Sequence, residues 1–423
     1  MSAACGYHVQ PARGWLNDPN GLVFHEGRWH VFFQHNPTAP RHGDIAWGHV
    51  SSPDLVRWAE HPVAFRPERN GPDHGGCWSG VAVRSGDVVA AAYTGIRSGP
   101  ADSTICLRYA SDPALNDWSG PRGVGSEPTG IGLREMRDPF VFTWSGRRWA
   151  LLGAGLDDGP AVLLWSCDDL EAWRFERVWF TIKHPVVRTL AAADTWECPQ
   201  LVEVDGSWVL LVSLWKAGIL DRVVYAVGSL VEERGLPRFA PRTAGLVDEG
   251  TVLYAPQVLQ DAPGGAPLML GWIREAEVLG PTVSLIRPDG LTMEPGDSVV
   301  GCLSLPRRLA LKDDHLISAV DPAVFALLGD EVDLGSEGLL PPQSMLRVPS
   351  TPVTVAGADI KVELPAHTDV WVDGEVLEAY PAGGVPGTFR DPGTLFWHLV
   401  NNWSDVQVRH VTTPARQRPT LTF

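Results

Sequence analysis

The sequence predicts an all-β chain: a five-bladed β-propeller over residues 1–305 and a C-terminal β-sandwich over residues 306–423. Three observations carry this expectation. A glycine-centred hairpin recurs at Gly27, Gly86, Gly146, Gly206 and Gly265, at steps of 59, 60, 60 and 59 residues. Each glycine is flanked by short apolar runs, such as Leu22–Phe24 with Val31–Phe33 and Leu201–Val204 with Trp208–Val212. Between the hairpins, L-x-x-W closes turn-rich stretches at Leu55–Trp58, Leu115–Trp118 and Leu170–Trp173.

Equal steps mean equivalent structural units. A hairpin plus a second extended stretch gives each unit about four short strands, the footprint of a propeller. A repeated hairpin stack without a channel is the plainer alternative. Against it stand Asp18, Asp138 and Glu197, which lie eight or nine residues ahead of three of the glycines. In a propeller the first strand of each blade lines the central channel, so acids in register on those strands meet around one axis. The period stops after Gly265. Beyond Leu305–Arg308 the texture changes: Gly338–Ser344 reads as a linker, and Val353–Leu364, Asp369–Leu377 and Leu395–Val408 alternate apolar and polar positions. At 423 residues, two domains are expected.

Composition excludes several function classes. The formal charge is −16, from 34 Lys and Arg against 50 Asp and Glu. Such a surface repels phosphate backbones and anionic headgroups, so neither nucleic acid nor a membrane is an expected partner. The six cysteines, Cys5, Cys77, Cys106, Cys167, Cys198 and Cys302, contain no C-x-x-C pair, which disfavours zinc and redox motifs and leaves reduced, buried thiols. Met1–Gly14 carries no basic start, apolar run or small-residue cleavage site, and the expected location is the cytoplasm. The 18 tryptophans suit strand packing and sugar binding equally well.

Each acid sits among aromatic and polar residues: Trp15–Gly21 (WLNDPNG), Met136–Pro139 (MRDP) and Trp196–Gln200 (WECPQ). A following proline biases the preceding residue away from helix and fixes the carboxyl of Asp18 and of Asp138 on extended or turn backbone. A lone Asp-Pro is usually a turn initiator. Three such acids brought together are electrostatically costly, and clusters of that kind mark functional sites. Two convergent carboxyls are what glycoside cleavage requires, one as acid and one as nucleophile or base. A third can bind sugar hydroxyls. Trp15, Trp47, Trp78 and Trp196 offer apolar faces for a ring, although core packing is the plainer role for each alone; Asn17, Asn20, Gln34 and Ser79 offer hydrogen bonds. No His-x-His or His-Glu-x-x-His pattern joins the acids, so no metal and no cofactor is expected.

These motifs resemble the β-fructofuranosidases of glycoside hydrolase family 32, which includes invertases, sucrose-6-phosphate hydrolases, inulinases and levanases. Trp15–Gly21 is similar to that family's W-M-N-D-P-N-G, Phe32–Pro37 (FFQHNP) to its Y-Q-x-N-P, and Trp47–Trp58 (WGHVSSPDLVRW) to its W-G-H-x-x-S-x-D-L-x-x-W. Tyr93-Thr94-Gly95, Arg137-Asp138-Pro139, Trp196-Glu197-Cys198 and Tyr254–Gln257 follow in the family's order, and the resemblance runs from Tyr7 to Arg308. It implies a five-bladed propeller with an appended sandwich and a retaining mechanism on a small β-fructoside such as sucrose. By carry-over, Asp18 is the nucleophile, Glu197 the acid and base, and Asp138 the residue that holds the fructose hydroxyls, with Arg137 beside it. Asn17, Gln34, Trp47, Trp78, Ser79 and Asp248 match substrate-binding positions.

Some positions depart from the family pattern. Trp78 stands where Phe is usual, and Val252 where many bacterial members carry Asp. The late strand Asp369–Gly383 arrives some tens of residues early, which implies a reduced sandwich. Sucrose 6-phosphate is the alternative substrate, with Arg41, His42 and Arg97 as candidate phosphate contacts; fructosyl transfer and a non-catalytic sugar-binding propeller are the other readings.

Overall fold

The computed structural model of the protein describes residues 5–275, 299–400, 403 and 405–415. These are nearly all strand, turn or irregular chain, with a short 3-10 helix at Pro322–Leu327. No helix among them is long and apolar enough to cross a membrane.

Five antiparallel sheets form in succession. The first contains Gly14–His25, Arg28–Asn36, Ala46–Ser52 and Ala59–Glu60, with Val299–Val300 added in parallel beside Gly14 and Trp15. The second contains Gly76–Ser85, Val88–Gly99, Asp102–Tyr109 and Arg122–Ser126. The third contains Leu133–Trp144, Arg147–Leu156, Gly159–Ser166 and Arg174–Thr181. The fourth contains Thr195–Val204, Ser207–Lys216, Ile219–Glu233 and Leu236–Leu246. The fifth is built from Leu253–Leu259, Leu268–Ile273, Arg307–Lys312 and His315–Val320, with Cys302–Leu303 on Leu268–Ile273. The first strand of each sheet packs against that of the next, and Leu253–Leu259 returns to lie against Gly14–His25.

The marker glycines make the hairpins for a local reason. A two-residue turn that matches strand twist needs positive φ at both central residues (type I′) or glycine at the first (type II′). Glu26-Gly27 (φ 48 and 75), Ser145-Gly146 (51 and 73) and Asp205-Gly206 (47 and 76) satisfy the first case. Gly86, with φ 62, opens the turn between Ser85 and Val88 as the second case requires. Gly265 keeps the period with φ 94 but lies in a longer loop between Leu259 and Leu268.

A second repeat is invisible in the glycine spacing. At one place in each front hairpin, three residues of the first strand span two of the second. The pairs are Leu16↔His35 then Pro19↔Phe33, Cys77↔Gly95 then Gly80↔Tyr93, Arg137↔Gly153 then Phe140↔Leu151, Glu197↔Ser213 then Gln200↔Leu211, and Tyr254↔Trp272 then Gln257↔Leu270. An extra residue on one strand is a β-bulge, which bends the strand and re-aims its side chains. The bulged residues are Asn17-Asp18, Trp78-Ser79, Asp138-Pro139, Cys198-Pro199 and Ala255-Pro256. Proline is tolerated there because a bulge leaves an N–H outside the ladder.

This register corrects one expectation: the three acids do not occupy equivalent positions. Glu197 immediately precedes its bulge, Asp138 is the first bulged residue, and Asp18 is the second.

Arg307–Lys312 pairs with Leu268–Ile273 through Leu268↔Arg308 and Met269↔Arg307, and His315–Val320 pairs in turn with Arg307–Lys312, so the fifth sheet extends past the junction expected at 305/306. This outer hairpin has the alternating texture of the strands that follow, so the change of texture falls inside the fifth sheet. Downstream, a six-stranded sheet runs in the order Leu328–Glu331, Gln407–Val411, Gln343–Arg347, Thr368–Asp373, Val376–Pro381, Gly387–Arg390. A three-stranded sheet holds Lys361–Leu364, Val353–Ala356 and His398–Leu399. One core joins them, with Leu346, Val370, Val372 and Leu377 from the first and Val353, Val355, Leu364 and Leu399 from the second. Of the expected alternating run Leu395–Val408, residues 401, 402 and 404 lie outside the described residues.

A buried ionic network ties the N-terminal segment and the fifth sheet to the six-stranded sheet. His8 bonds Asp373 through Nδ1 and Glu378 through Nε2, both at 2.8 Å. Arg307 donates to Glu378 at 2.6 Å and to Asp248 at 2.8 Å. Burial alone would push His8 down, but its bonds to Asp373 and Glu378 and their charges outweigh it and bring it up to about 10. Glu378 is penalised by burial, yet Arg307 and His8 hold it down at about 2.

A raised histidine pKa stabilises the fold fully below the ordinary 6.5, and that contribution is lost as pH rises through about 10. The depressed Glu378 contributes above its ordinary 4.5 and is lost as pH falls through about 2. Thermal melts of the wild type should therefore fall between pH 7 and 10. His8→Gln should be destabilised by about 3–5 kcal/mol at neutral pH, because it leaves two buried carboxylates short of a cation. Its melting temperature should vary less over that alkaline range; an equal slope in both proteins counts against the network.

Candidate active site

Three of the bulges project residues into one cavity of about 150 Å³, Asn17 with Asp18, Trp78, and Asp138, while the fourth and fifth sheets line it with the residues just before their bulges, Glu197 and Tyr254. Asn17, Asp18, Gln34, Trp78, Arg137, Asp138 and Glu197 line it as expected, joined by Trp15, His42, Glu135, Trp215, Tyr254 and Trp272. A larger groove of about 790 Å³, between the fifth sheet and the six-stranded sheet, contains none of the three acids. Chemistry therefore belongs to the smaller cavity.

Side chains at matching levels of adjacent sheets bond to each other. Just before the bulge, Arg137 donates to Glu197 Oε1 at 2.7 Å and the Tyr254 hydroxyl donates to Glu197 Oε2 at 2.6 Å. At the first bulged position, the Cys198 N–H donates to Asp138 Oδ2 at 3.0 Å, with the Cys198 thiol 3.5 Å from the same oxygen. At the second, the Ser79 hydroxyl donates to Asp18 Oδ2 at 2.6 Å. Two residues ahead of Arg137 and Glu197, Glu135 accepts from the Thr195 hydroxyl. Gln34 and Asn17 add amide donors to Asp18 at 3.0 and 3.3 Å, and the Cys198 thiol lies 3.6 Å from it.

The electrostatics follow from burial opposed by these partners. Burial pushes Asp18 up, while bonds from Ser79, Asn17 and Cys198 pull it back without cancelling the rise. Burial also raises Glu197; Arg137 and the Tyr254 bond oppose it, and the charges of Asp18 and Glu135 add to it. Asp138 rises to about 7, driven by burial, countered by Arg137, and increased by Glu197 and Asp18. Arg137 is shared: one end meets Glu197, the other Glu135, and its face lies 5.3 Å from the Trp78 ring centroid.

The model of the glycosyl hydrolases family 32 N-terminal domain matches residues 8–319. The chain belongs to glycosyl hydrolases family 32. The sucrose-6-phosphate hydrolase of Zymomonas mobilis is 30% identical over 331 residues, covering 74% of this chain and 60% of that protein. The sucrose-6-phosphate hydrolase of Bacillus subtilis is 31% identical over 358 residues, covering 79% of this chain and 70% of that protein. In architecture, the chain superimposes on the sucrose-6-phosphate hydrolase of Lactobacillus gasseri with a TM-score of 0.78 at 20% identity, over 97% of this chain and 93% of that one.

Several expected residues of this family 32 chain lie elsewhere than the cavity wall. Asp248 is the clear correction: its oxygens are taken by Arg307, Gly250 and Thr388, and it is buried at the junction with the six-stranded sheet. Trp47 is fully buried and donates to the Trp78 carbonyl at 3.1 Å, so it supports that segment from beneath. Ser79 reaches Asp18 without facing the open cavity. Trp196 packs on Phe180, and Asn20 accepts from the Gly80 N–H at 3.2 Å. Val252 lies in an apolar cluster with Ile273, Cys302 and Val376.

Residues the sequence reading passed over complete the site. Thr94, in the quoted Tyr93-Thr94-Gly95, accepts from the Asp138 N–H at 2.7 Å and so fixes the bulged backbone. Glu135 and Thr195 stand two residues before named motif residues, a spacing that becomes a signal only once the bulge register is known.

Isotope-edited infrared difference spectra should show an Asp138 carboxyl titrating near pH 7. In Arg137→Gln its midpoint should move upward, because the neighbouring cation that favours the ionised form is gone. An unshifted midpoint would break this account.

Proposed function

We propose that this chain is a retaining, exo-acting β-fructofuranosidase that releases the terminal fructofuranosyl unit of sucrose or a short β-fructoside by double displacement. The observation that carries the reading is the convergence of Asp18, Asp138 and Glu197 in one small cavity, each with different hydrogen-bond partners. The five sheets with cyclically touching front strands support a five-bladed propeller, and the two sheets after Val320 support a sandwich domain. We place the junction after Val320.

In the first step Asp18 attacks C2 of the fructosyl unit while Glu197 gives its proton to the departing oxygen, so the C2–O bond breaks as an ester to Asp18 forms. In the second, Glu197, now ionised, takes a proton from water, whose oxygen attacks C2 and returns Asp18 as a carboxylate. Asp138 holds fructose hydroxyls during both steps. Glu197 must begin protonated, which its raised pKa favours.

Asp18→Asn should lose about three or more orders of magnitude in kcat on sucrose while its melting temperature stays close to wild type. Glu197→Gln should be comparably slow on sucrose, and azide should restore turnover on an activated fructosyl donor that needs no proton, giving a fructosyl azide. Full activity in either variant sinks the assignment. Chromatography at high sucrose separates hydrolysis, which gives free fructose, from transfer, which gives trisaccharides.

The pH profile supplies an independent check. Activity falls at low pH as Asp18 is protonated and at high pH as Glu197 loses its proton. The Tyr254 hydroxyl bond favours ionised Glu197, so Tyr254→Phe should shift the alkaline limb to higher pH and leave the acid limb in place. A downward shift would contradict Glu197 as the proton donor.

A further inference from the structure

We infer that this cavity selects an unphosphorylated leaving group, and that Glu135 is the residue that enforces the selection. The inference rests on the glycosidase reading above and names the substrate class of that site.

The argument begins with the charges facing the cavity. Among the described residues that line it, Asp18, Glu135, Asp138 and Glu197 are acids and Arg137 is the one Arg or Lys. That guanidinium is already engaged: Glu197 takes one end at 2.7 Å, Glu135 takes the other, and Trp78 covers its face. Recognition of a phosphoryl group calls for a guanidinium or ammonium whose donors are free to fork onto its oxygens. Here both ends of the fork meet carboxylates.

Glu135 is held in place. Its Oε1 accepts from Thr195 and its Oε2 from Arg137, and its side chain retains 20% exposure, which puts it towards the open end of the cavity. Glu197 delivers its proton to the departing oxygen, so the leaving sugar lies on the Glu197 side, and Glu135 is linked to Glu197 through the shared Arg137. A dianion carried by that sugar would meet a fixed carboxylate in a partly desolvated site, where like charges repel strongly.

The three candidate phosphate contacts do not reverse this. His42 lines the cavity against Trp78, but burial pushes it down to about 4 and leaves it neutral at pH 7. Arg97 is exposed and bonded to Asp102 at 2.7 Å, and Arg41 is exposed and absent from the cavity wall. The Zymomonas and Bacillus relatives are named for the phosphorylated sugar. This chain has arranged its charges against it.

The test compares kcat/KM on sucrose, kestose and sucrose 6-phosphate for the wild type, Glu135→Gln and Glu135→Asp. The wild type should favour sucrose over its 6-phosphate by about tenfold or more. Glu135→Gln retains hydrogen bonding to Thr195 but removes the charge; it should narrow that ratio by about fivefold or more, mainly through KM for the phosphorylated sugar. Glu135→Asp retains the charge and should retain the discrimination. A wild type that turns over sucrose 6-phosphate as well as sucrose overturns the inference without any variant and leaves the glycosidase reading intact. So does an unchanged ratio in a folded Glu135→Gln. Absence of fructose release from all three sugars takes down the glycosidase reading and this inference together.

Discussion

A bulge at one shared level in the first strand of each of the five successive sheets is the constraint on which the site depends. In a regular strand, neighbouring side chains point to opposite faces, so Arg137 and Asp138 could not both enter one cavity. They do, as do Asn17 and Asp18. The bulges break the alternation at the same level of the five front hairpins, and the chain uses each interrupted position differently. Because adjacent sheets are offset alike, equivalent levels face one another: Arg137 meets Glu197, Glu197 meets Tyr254, Asp138 meets Cys198, and Asp18 meets Ser79. A residue placed at one of these levels acquires its partner from the next sheet without further specification.

The arrangement gathers several acids where burial opposes their charge, and that electrostatic cost is sustained by the surrounding core. The layers behind the front strands are apolar, with Leu151, Leu163, Leu210, Leu211 and Val227 fully enclosed or nearly so. Such packing resists the relaxation that would let water in and the acids move apart. The buried network of His8, Asp248, Arg307 and Glu378 works at the other end of the molecule, where it joins the fifth sheet to the C-terminal sheets. Charges there are paired oppositely, and the pKa values of His8, Arg307 and Glu378 move away from neutrality. In the cavity the acids crowd one another, and Asp138 moves towards neutrality. The same residue types thus give a structural tie in one place and reactive groups in another, decided by whether a cation is provided for each acid.

Much of this was legible in the residues. The glycine period locates the hairpins because a two-residue turn needs positive φ, and four of the five marker glycines satisfy that need directly. The acids stand out because Asp-Pro and Glu-Cys-Pro recur near the same offset. The bulge was not legible, since it is a relation between two strands, and so the three acids looked equivalent when they are consecutive. Glu135 escaped for the same reason: beside Arg134, it reads as ordinary surface charge until the register puts it level with Thr195. Asp248 was misassigned because a short motif match says nothing about distant partners, and Thr388, which saturates it, lies 140 residues away. The extent of the fifth sheet past residue 305 was not legible, because its outer hairpin and the strands that follow share one alternating pattern.

The hydrogen-bond partners also bear on why Asp138, whose pKa rises to about 7, need not be the acid that moves protons. Asp138 Oδ2 accepts from the Cys198 backbone N–H, which can only donate, so that oxygen is held as an acceptor. Asp18 is bound by the amides of Gln34 and Asn17, which also present donors to it and favour its charged, nucleophilic form. Glu197 differs because its Oε2 faces the Tyr254 hydroxyl, and a hydroxyl can donate to a carboxylate or, by rotating, accept from a protonated acid. Such a partner serves both protonation states without moving heavy atoms; Asp18 has one too in the Ser79 hydroxyl, but there the amides of Gln34 and Asn17, which only donate to it, favour the charged form. A group that must give a proton in one step and take one in the next needs such a reversible neighbour. This is a physical reason, independent of the motifs, that supports the proposed division of work among Glu197, Asp18 and Asp138.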